Sequence, residues 1–320
     1  MKYINDGNVL YIQDLYYQNL LFHIQEKCDN VFDGEWTDRP LNSEKSPIVL
    51  DEPYLIIETI DSCYSHALLE RIFPLFWAMD KIRSEYPDLS PIRIMIRNRM
   101  IRLFPNQNKP LIDRTSGYYR GFHRELLGWI TSSPPLFPSA DRTYCFRHAF
   151  LYTDKHDYQC SPWNQTYMFP NRQIKTPRTL YHDDLIREYL VRFREFIFRY
   201  YHIHLLEEDL QDKILLIERK SNRRWDPETI RSIPAIPVIL EDLPIRQQII
   251  LFATHKTIIF RHGSCLANLI FSPPGAKIFD LDHEYGRPHI VGRLCQFFGL
   301  RHIYLEYGSC RGDWFASNHA

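Results

Sequence analysis

Basic residues cluster directly after an apolar, strand-like segment in the C-terminal half of the chain. The segment ILLIE is followed by Arg219 and Lys220, and Arg223 and Arg224 come shortly afterwards. A guanidinium group forms two parallel hydrogen bonds with paired oxygen atoms, such as those of a diphosphate. Basic runs are also common in solvated loops, so this cluster by itself indicates only a candidate phosphate site.

A glycine-containing turn follows a second apolar segment. After TIIF the sequence reads Arg261-His262-Gly263-Ser264, and the apolar stretch SCLANLIF that comes next is predicted to be a short helix. Unpaired N–H groups at the start of a helix attract anions, and glycine lets a ligand approach the backbone closely. We therefore predict that residues 262–264 hold a phosphate group, although a lone histidine is more often a hydrogen-bonded structural residue.

Acidic residues end a third apolar segment, KIFDLD. Asp280 can accept hydrogen bonds from ribose hydroxyls, as acids at strand ends do in dinucleotide-binding folds. Asp280 and Asp282 are also spaced so that both carboxylates could bind a divalent cation. Because the arginines already supply positive charge for a phosphate, we predict a site without a metal and without a cofactor.

The segments that carry these residues alternate between strand and helix patterns. A long amphipathic helix is predicted over residues 182–203, and the strand patterns KILLIE, PVILED, KTIIF and KIFDLD then alternate with helical ones, with helical segments up to the C-terminus. This order predicts βαβ units and a parallel sheet covered on both faces. Ligands bind beyond the carboxyl ends of parallel strands, so we expect the three candidate sites at one edge of the sheet.

The N-terminal half has a less regular pattern. Short strands are predicted within residues 1–60, a helix over residues 65–84, a strand at PIRIMI, and mostly irregular structure from Phe104 to Pro177. His66 and Glu70 share one face of the predicted helix. Because the pKa of a histidine lies near neutrality, His66 is the preferred general base and Glu70 its partner. Core packing, or a surface salt bridge involving Arg71, is the alternative.

The length and composition predict two domains. A chain of 320 residues with 44% hydrophobic residues exceeds what one core usually holds. We place an N-terminal domain at residues 1–180 and a C-terminal domain at residues 181–320, with a final helical segment that returns to the first domain. The change of pattern near residue 178 sets this boundary.

Charge and cysteine usage exclude several classes of partner. Lys plus Arg and Asp plus Glu both number 39, so no global field favours nucleic acid or an anionic membrane. The scattered cysteines form no CxxC pair, which favours reduced thiols over a zinc site.

No apolar run approaches the about 18 residues of a membrane span, and no signal-peptide pattern begins the chain. We expect a soluble protein of the cytoplasm, or of another soluble host-cell or viral compartment.

Several segments resemble those of glycosyltransferase family 61. RHGSCLANLIFSPPGAKIFDLD resembles the family's HGAGLTN segment with its following Pro-Gly turn and acid-terminated strand; IERKSNRRW resembles its arginine motif, and DSCYSHALLERIFPLF its N-terminal segment. The resemblance implies an α/β protein of the GT-B type, in which two Rossmann-like domains face each other across a cleft. It also implies inverting, metal-independent transfer of a sugar, xylose or N-acetylglucosamine, from a UDP-sugar to a glycan or glycoprotein.

Carried over to this sequence, the resemblance assigns donor binding to the C-terminal strand ends. The residues in question are Arg219, Arg223, His262, Gly263, Ser264, Asn268 and Asp280. Two positions depart from the family: Trp225-Asp226 stands where relatives commonly have Ile or Leu and then Asn, and Cys265 stands where relatives have a glycine. If that glycine has a positive φ angle, a cysteine in its place is strained.

Three alternatives stay open. The Asp280-Leu281-Asp282 segment matches the DxD signature of metal-dependent GT-A glycosyltransferases, in which carboxylates hold a cation against the diphosphate. A glycan- or nucleotide-binding protein of the same fold without turnover is a second reading. A metal-dependent phosphoryl-transfer enzyme using residues 280–283 is the third.

Overall fold

The described part of the chain falls into two compact units. The computed structural model describes residues 2–4, 9–18, 21–23, 36–37, 46–58, 64, 67–97, 122–139, 141–152, 183–220, 233–235, 237–261, 263–282 and 289–306. The N-terminal unit holds the described residues up to 152 except Tyr64, and the C-terminal unit holds Tyr64 and those from 183 onward. The domain boundary predicted at residue 180 lies outside the described residues.

The N-terminal unit contains a seven-stranded mixed sheet. Its strands are β1 (Lys2–Ile4), β2 (Val9–Gln18), β3 (Leu21–His23), β4 (Trp36–Thr37), β5 (Ile48–Glu58), β6 (Arg93–Arg97) and β7 (Tyr144–Tyr152). The order is β4-β3-β2-β7-β5-β6, and β1 pairs with β2. Strands β7, β5 and β6 run parallel, whereas β2 is antiparallel to β1, β3 and β7. Parallel strands with an antiparallel extension therefore form this sheet.

Two helices accompany this sheet. A π-helical turn, Ala67–Ile72, leads into α1 (Phe73–Glu85), and α2 is Phe122–Ile130. Pro74 lies in the first turn of α1, where its missing N–H group has no intrahelical partner to lose. The α1 residues Phe73, Trp77 and Ile82 are fully buried and lie on different sides of the helix, so most of its surface belongs to the core of the unit.

The structure differs from the sequence prediction in the region 104–177. Helix α2 and strand β7 lie there and were not predicted, in a stretch that was expected to hold most of the irregular structure. Strand β7 is hard to recognise because it is a central strand with apolar residues on both faces, and Arg147 and His148 interrupt them. The segments PIVL and YLIIETI, predicted as two strands, form the single strand β5, whose pairing with β7 is irregular between Leu50 and Pro53.

The C-terminal unit contains a five-stranded sheet in which every pair of neighbours is parallel. Its order is β12-β11-β10-β8-β9. The strands are β8 (Gln211–Glu218), β9 (Pro237–Ile239), β10 (His255–Arg261), β11 (Lys277–Asp282) and β12 (Arg301–Glu306). The α-helices are α3 (Asp183–Tyr200), α4 (Ile245–Thr254) and α5 (His289–Phe298), and 3₁₀ helices are formed by Glu207–Asp209, Leu240–Asp242 and Ser264–Phe271. The predicted parallel sheet is confirmed, and it is compatible with a Rossmann-like fold.

Both faces of this sheet are covered. Consecutive residues of β10, Ile258, Ile259 and Phe260, are fully buried, which requires apolar cover on each side. On one face Leu216, Ile259, Phe279 and Leu281 cluster with Ile233. On the other face α3, α4, α5 and the 3₁₀ helix Ser264–Phe271 pack against one another and the sheet. This packing fixes the positions of the strand ends.

The end of the C-terminal unit also differs from the prediction. Helix α5 was expected, but Arg301–Glu306 forms the edge strand β12 where a further helical segment was predicted. Polar residues interrupt its short apolar pattern, and its strand conformation depends on pairing with β11. Within the described ranges, no helix has the length and apolar composition needed to cross a membrane. The GT-B arrangement of the two units stays a prediction.

Candidate functional site

The strand order of the C-terminal sheet reverses between β8 and β10. From β8 the chain proceeds to β9 on one side and then crosses to β10 on the other side of β8. In open parallel sheets the loops leave such a point in opposite directions, and ligands bind in the crevice beyond the carboxyl ends of the two strands. Arg219 follows β8 and Gly263 follows β10. Arg219 and Gly263, two of the predicted phosphate-binding residues, thus lie where open parallel sheets form their ligand-binding crevice.

Arg219 packs directly over Gly263. A Cβ atom added to Gly263 would lie 2.6 Å from Nη1 and 3.2 Å from Cζ of Arg219. Gly263 has an extended backbone, with φ 172° and ψ −168°, which any residue can adopt. The glycine is therefore needed for space. The sequence predicts that a ligand approaches the backbone of Gly263 closely. In the structure, the side chain of Arg219 makes this close approach.

Acidic side chains pair with Arg219 and Lys220, the described basic residues after β8. Glu241 Oε1 lies 3.9 Å from Arg219 Nε, and Asp242 forms an ion pair with Lys220. These acids belong to the 3₁₀ helix Leu240–Asp242, which follows β9. They were not predicted as part of the site. The only signal in the sequence is an acidic pair at the end of the segment PVILED.

Ser264 and Cys265 begin the 3₁₀ helix Ser264–Phe271, as the sequence predicts. The non-glycine residues with positive φ in the described ranges are Asp14 and His202, so the strain considered for Cys265 does not arise. Burial raises the pKa of the Cys265 thiol to about 12, with nearby Asp280 and Glu241 adding to the rise and Arg219 opposing it. The thiol is therefore neutral at physiological pH and is a poor nucleophile.

Asn268 is fully buried and uses both ends of its amide group. Its Oδ1 accepts a hydrogen bond of 2.9 Å from Tyr64 Oη, and its Nδ2 donates one of 3.2 Å to Gln248 Oε1. Gln248 Nε2 in turn donates to the backbone carbonyls of Leu240 and Leu243, both at 3.0 Å. This network connects Tyr64, the 3₁₀ helix that begins after Gly263, and the turn that carries Glu241. Asn268 therefore holds elements of the site in place.

Asp280 is the buried acid of the site. Its carboxylate is fully buried, and within the part of the chain that the structure describes neither oxygen has a hydrogen-bond partner. His302 Nε2 lies 3.8 Å from Asp280 Oδ2, too far for a hydrogen bond. Burial, and then the charge of Asp280, raise the pKa of the nearby Cys295 thiol to about 12. Burying a carboxylate without a hydrogen-bond partner costs folding free energy. The position of Asp280 therefore indicates a place for a hydrogen-bond donor.

The described side chains offer no ready metal centre. Among them, no group of three or more His, Cys, Asp and Glu residues is arranged to hold a cation. Asp280 belongs to the described set, whereas the side chains of Asp282 and His283 lie outside it. The DxD alternative is therefore not tested by this geometry.

Other predicted site residues lie outside the described part of the chain. These are His66, Arg223 and His262. The backbone of Glu70 belongs to the π-helical turn Ala67–Ile72, but its side chain is not described. The pairing of His66 with Glu70 thus stays a prediction, as does the contribution of Arg223 and His262 to phosphate binding.

Comparison with known proteins identifies one family. The profile of the family described as Glycosyltransferase 61 matches residues 64–279. None of the curated proteins matches the chain. The matched range begins at Tyr64, whose hydroxyl group binds Asn268, and contains Arg219, Glu241 and Gly263. It therefore covers the ends of β8 and β10 together with the whole network of Tyr64, Asn268 and Gln248.

Proposed function

Because the chain belongs to glycosyltransferase family 61, we propose that it transfers a sugar from a UDP-sugar to a hydroxyl group of a glycan or glycoprotein. Family membership implies a sugar donor and an acceptor. UDP as the nucleotide, xylose or N-acetylglucosamine as the sugar, and inversion at the anomeric carbon are parts of the proposal.

The contact between Arg219 and Gly263 carries the proposal. It places a guanidinium group at the carboxyl ends of β8 and β10, where a parallel sheet binds nucleotides. A diphosphate that leaves a sugar gains negative charge, and fixed cations stabilise that charge in the transition state. Arg219 and Lys220 are described cations at this position, and we propose that Arg223 and residues 262–264 complete the diphosphate site. Such a set of groups needs no metal ion.

The reaction is proposed as a single displacement. The acceptor oxygen attacks the anomeric carbon while the bond from that carbon to the diphosphate oxygen breaks, and the bonding electrons leave with UDP. A base removes the proton of the acceptor hydroxyl as the new bond forms. We assign this role to His66, with Glu70 as its partner.

Asp280 is assigned to the ribose of the donor. Its unpartnered oxygens support this role, since ribose hydroxyls are hydrogen-bond donors. The carboxylate is fully buried, so a hydroxyl reaches it only if the neighbouring 3₁₀ helix or α5 moves. Asn268 serves the same site by holding that helix through its two hydrogen bonds.

An activity assay with matched variants tests the proposal. The purified chain is incubated with UDP-xylose or UDP-N-acetylglucosamine and a panel of glycan acceptors, and UDP release is measured. We expect Arg219→Ala to lower kcat/KM at least about a hundredfold, because a charge-stabilising group of the transition state is lost. Lys256→Ala removes a cation from the opposite end of the sheet, where it pairs with Asp212, and is expected to leave kcat/KM unchanged.

Further outcomes distinguish the alternatives. Activity abolished by EDTA and restored by Mn²⁺ would favour the metal-dependent transferase that uses Asp280 and Asp282. Binding of UDP without transfer or hydrolysis would favour a binding protein without turnover. If His66→Ala and Glu70→Ala both transfer sugar at the parental rate, the base lies elsewhere.

A further inference from the structure

Arg219 is contacted from two directions. Its Nη1 packs over Gly263, and its Nε faces Glu241 Oε1 at 3.9 Å. That distance exceeds a hydrogen bond, so the attraction to Glu241 is purely electrostatic. An approaching phosphate oxygen can form a shorter, charge-assisted hydrogen bond with the guanidinium and so compete successfully with Glu241.

The turn that carries Glu241 is held in place. Gln248 Nε2 donates to the carbonyls of Leu240 and Leu243, on both sides of Glu241 and Asp242. Asp242 pairs with Lys220, so each of the described cations after β8, Arg219 and Lys220, has its own acid. Because the turn is anchored, Glu241 stays near Arg219 after a diphosphate binds, and the two anions repel each other.

We propose that Glu241 limits the affinity of the site for UDP by competing for Arg219, and that it thereby promotes release of the nucleotide product. This inference rests on the proposed function, because it takes the diphosphate of UDP as the ligand of Arg219. Glu241 acts in it as a positioning residue and touches neither the sugar nor the acceptor. The role differs from a structural one, since removal of its charge strengthens binding.

The size of the effect follows from the exposure of the pair. The side chains of Arg219 and Glu241 are 24% and 44% exposed, so solvent screens their attraction. Neutralising Glu241 removes its attraction to Arg219 and its repulsion of the bound diphosphate. Together, these two changes correspond to a gain of about fivefold in the affinity for UDP. The gain falls at high salt because both interactions are screened.

Isothermal titration calorimetry with UDP, and stopped-flow measurement of its dissociation, test the inference. We expect Glu241→Gln to bind UDP about fivefold more tightly and to release it more slowly, whereas Glu241→Asp behaves like the parent. Asp212→Asn is the matched control, since Asp212 is an exposed acid paired with Lys256 at the opposite end of the same sheet. It is expected to leave UDP affinity unchanged.

Each other outcome overturns the inference. Unchanged or weaker binding by Glu241→Gln would mean that Glu241 is neutral or orients Arg219 for the ligand. Equal tightening by Asp212→Asn would mean that net charge alone is responsible. If the parent binds neither UDP nor pyrophosphate, the proposed function fails along with the inference; if the parent binds UDP and Glu241→Gln does not tighten it, only the inference fails.

Discussion

The absence of a side chain at Gly263 leaves the space that the Arg219 guanidinium occupies. The extended backbone of Gly263 would accept any residue, so the restriction is purely spatial. Gly263 differs in this respect from Gly275 and Gly299, which have positive φ angles and open space around them. A substitution at Gly263 therefore tests the position of Arg219 without straining the backbone.

Gly263→Ala is expected to weaken UDP binding about tenfold. The added methyl group would meet Nη1 at 2.6 Å, so the guanidinium has to move out of the crevice. Because Nη1 is the end of a flexible side chain, stability should change by less than about 1 kcal/mol. Titration calorimetry and urea denaturation measure the two quantities.

A double-mutant cycle provides the control. In the Arg219→Ala background, Gly263→Ala should cause no further loss of affinity, since the displaced group is already absent. Equal losses in both backgrounds would show that Gly263 acts on UDP independently of Arg219.

The thiols of Cys265 and Cys295 predict a loss of stability in alkali. Burial raises the pKa of each thiol to about 12 in the folded protein, whereas the unfolded thiols ionise near their ordinary pKa. The stabilisation is therefore complete below about pH 8 and is lost as the pH rises towards 12. At pH 10 the loss is on the order of 1 kcal/mol per thiol.

Urea denaturation at pH 7.5 and pH 10, in the presence of a reductant, measures this effect. The variant with both Cys265→Ala and Cys295→Ala should lose less stability than the parent between the two pH values, by on the order of 2 kcal/mol. An equal loss in parent and variant would mean that other groups cause the alkaline destabilisation.

The sequence predicts some of these residues and misses others for a physical reason. Arg219 and Gly263 could be identified because each directly follows a strand, and strand ends of a parallel sheet meet. Glu241, Gln248 and Tyr64 could not, because their roles depend on tertiary contacts with residues far away in the chain. Asp280 was identified, but its complete burial was not.

Among the elements, the 3₁₀ helix Ser264–Phe271 and strand β11 were predicted with their observed bounds. Gly263 before the helix, and the Pro273-Pro274-Gly275 turn after it, mark its ends clearly. In strands β7 and β12, polar residues obscure the strand pattern. Their conformation follows from pairing with neighbouring strands, which a single sequence does not reveal.

Helix α4 offers a direct test of the buried network. Gln248→Ala should lower the free energy of unfolding by about 2 kcal/mol, because Asn268 Nδ2 and the carbonyls of Leu240 and Leu243 lose their partner. Gln247→Ala, at the neighbouring exposed position of the same helix, should change it by less than about 0.5 kcal/mol. Chemical denaturation compares the two variants, and equal effects would contradict a structural role for the network.

At the scale of the whole molecule, the range matched by the family profile does not coincide with either folding unit. Residues 64–279 contain β6 and β7 but lack β5, which lies between them in the sheet. Leu55 and Ile56 of β5 are fully buried, so their loss opens the core of the N-terminal unit. The range also omits β12, which forms one edge of the C-terminal sheet.

A fragment of residues 64–279 is therefore expected to lack a cooperative unfolding transition. Removal of a central strand exposes apolar surface. The free energy lost in this way exceeds the small net stability of a domain. Circular dichroism during thermal unfolding measures this, with the full chain as the control. A cooperative transition in the fragment would mean that β5 is dispensable.

The short strand β9 leaves part of the C-terminal sheet open along one side. Its residues pair with Leu216–Glu218, so the first half of β8 has no strand neighbour on that side among the residues described. Unpaired strand edges can recruit a second molecule and initiate aggregation. Gln211, Asp212 and Lys213 occupy this stretch and are all exposed. Resistance to edge-to-edge self-association at this corner thus depends on a few polar side chains far from the crevice.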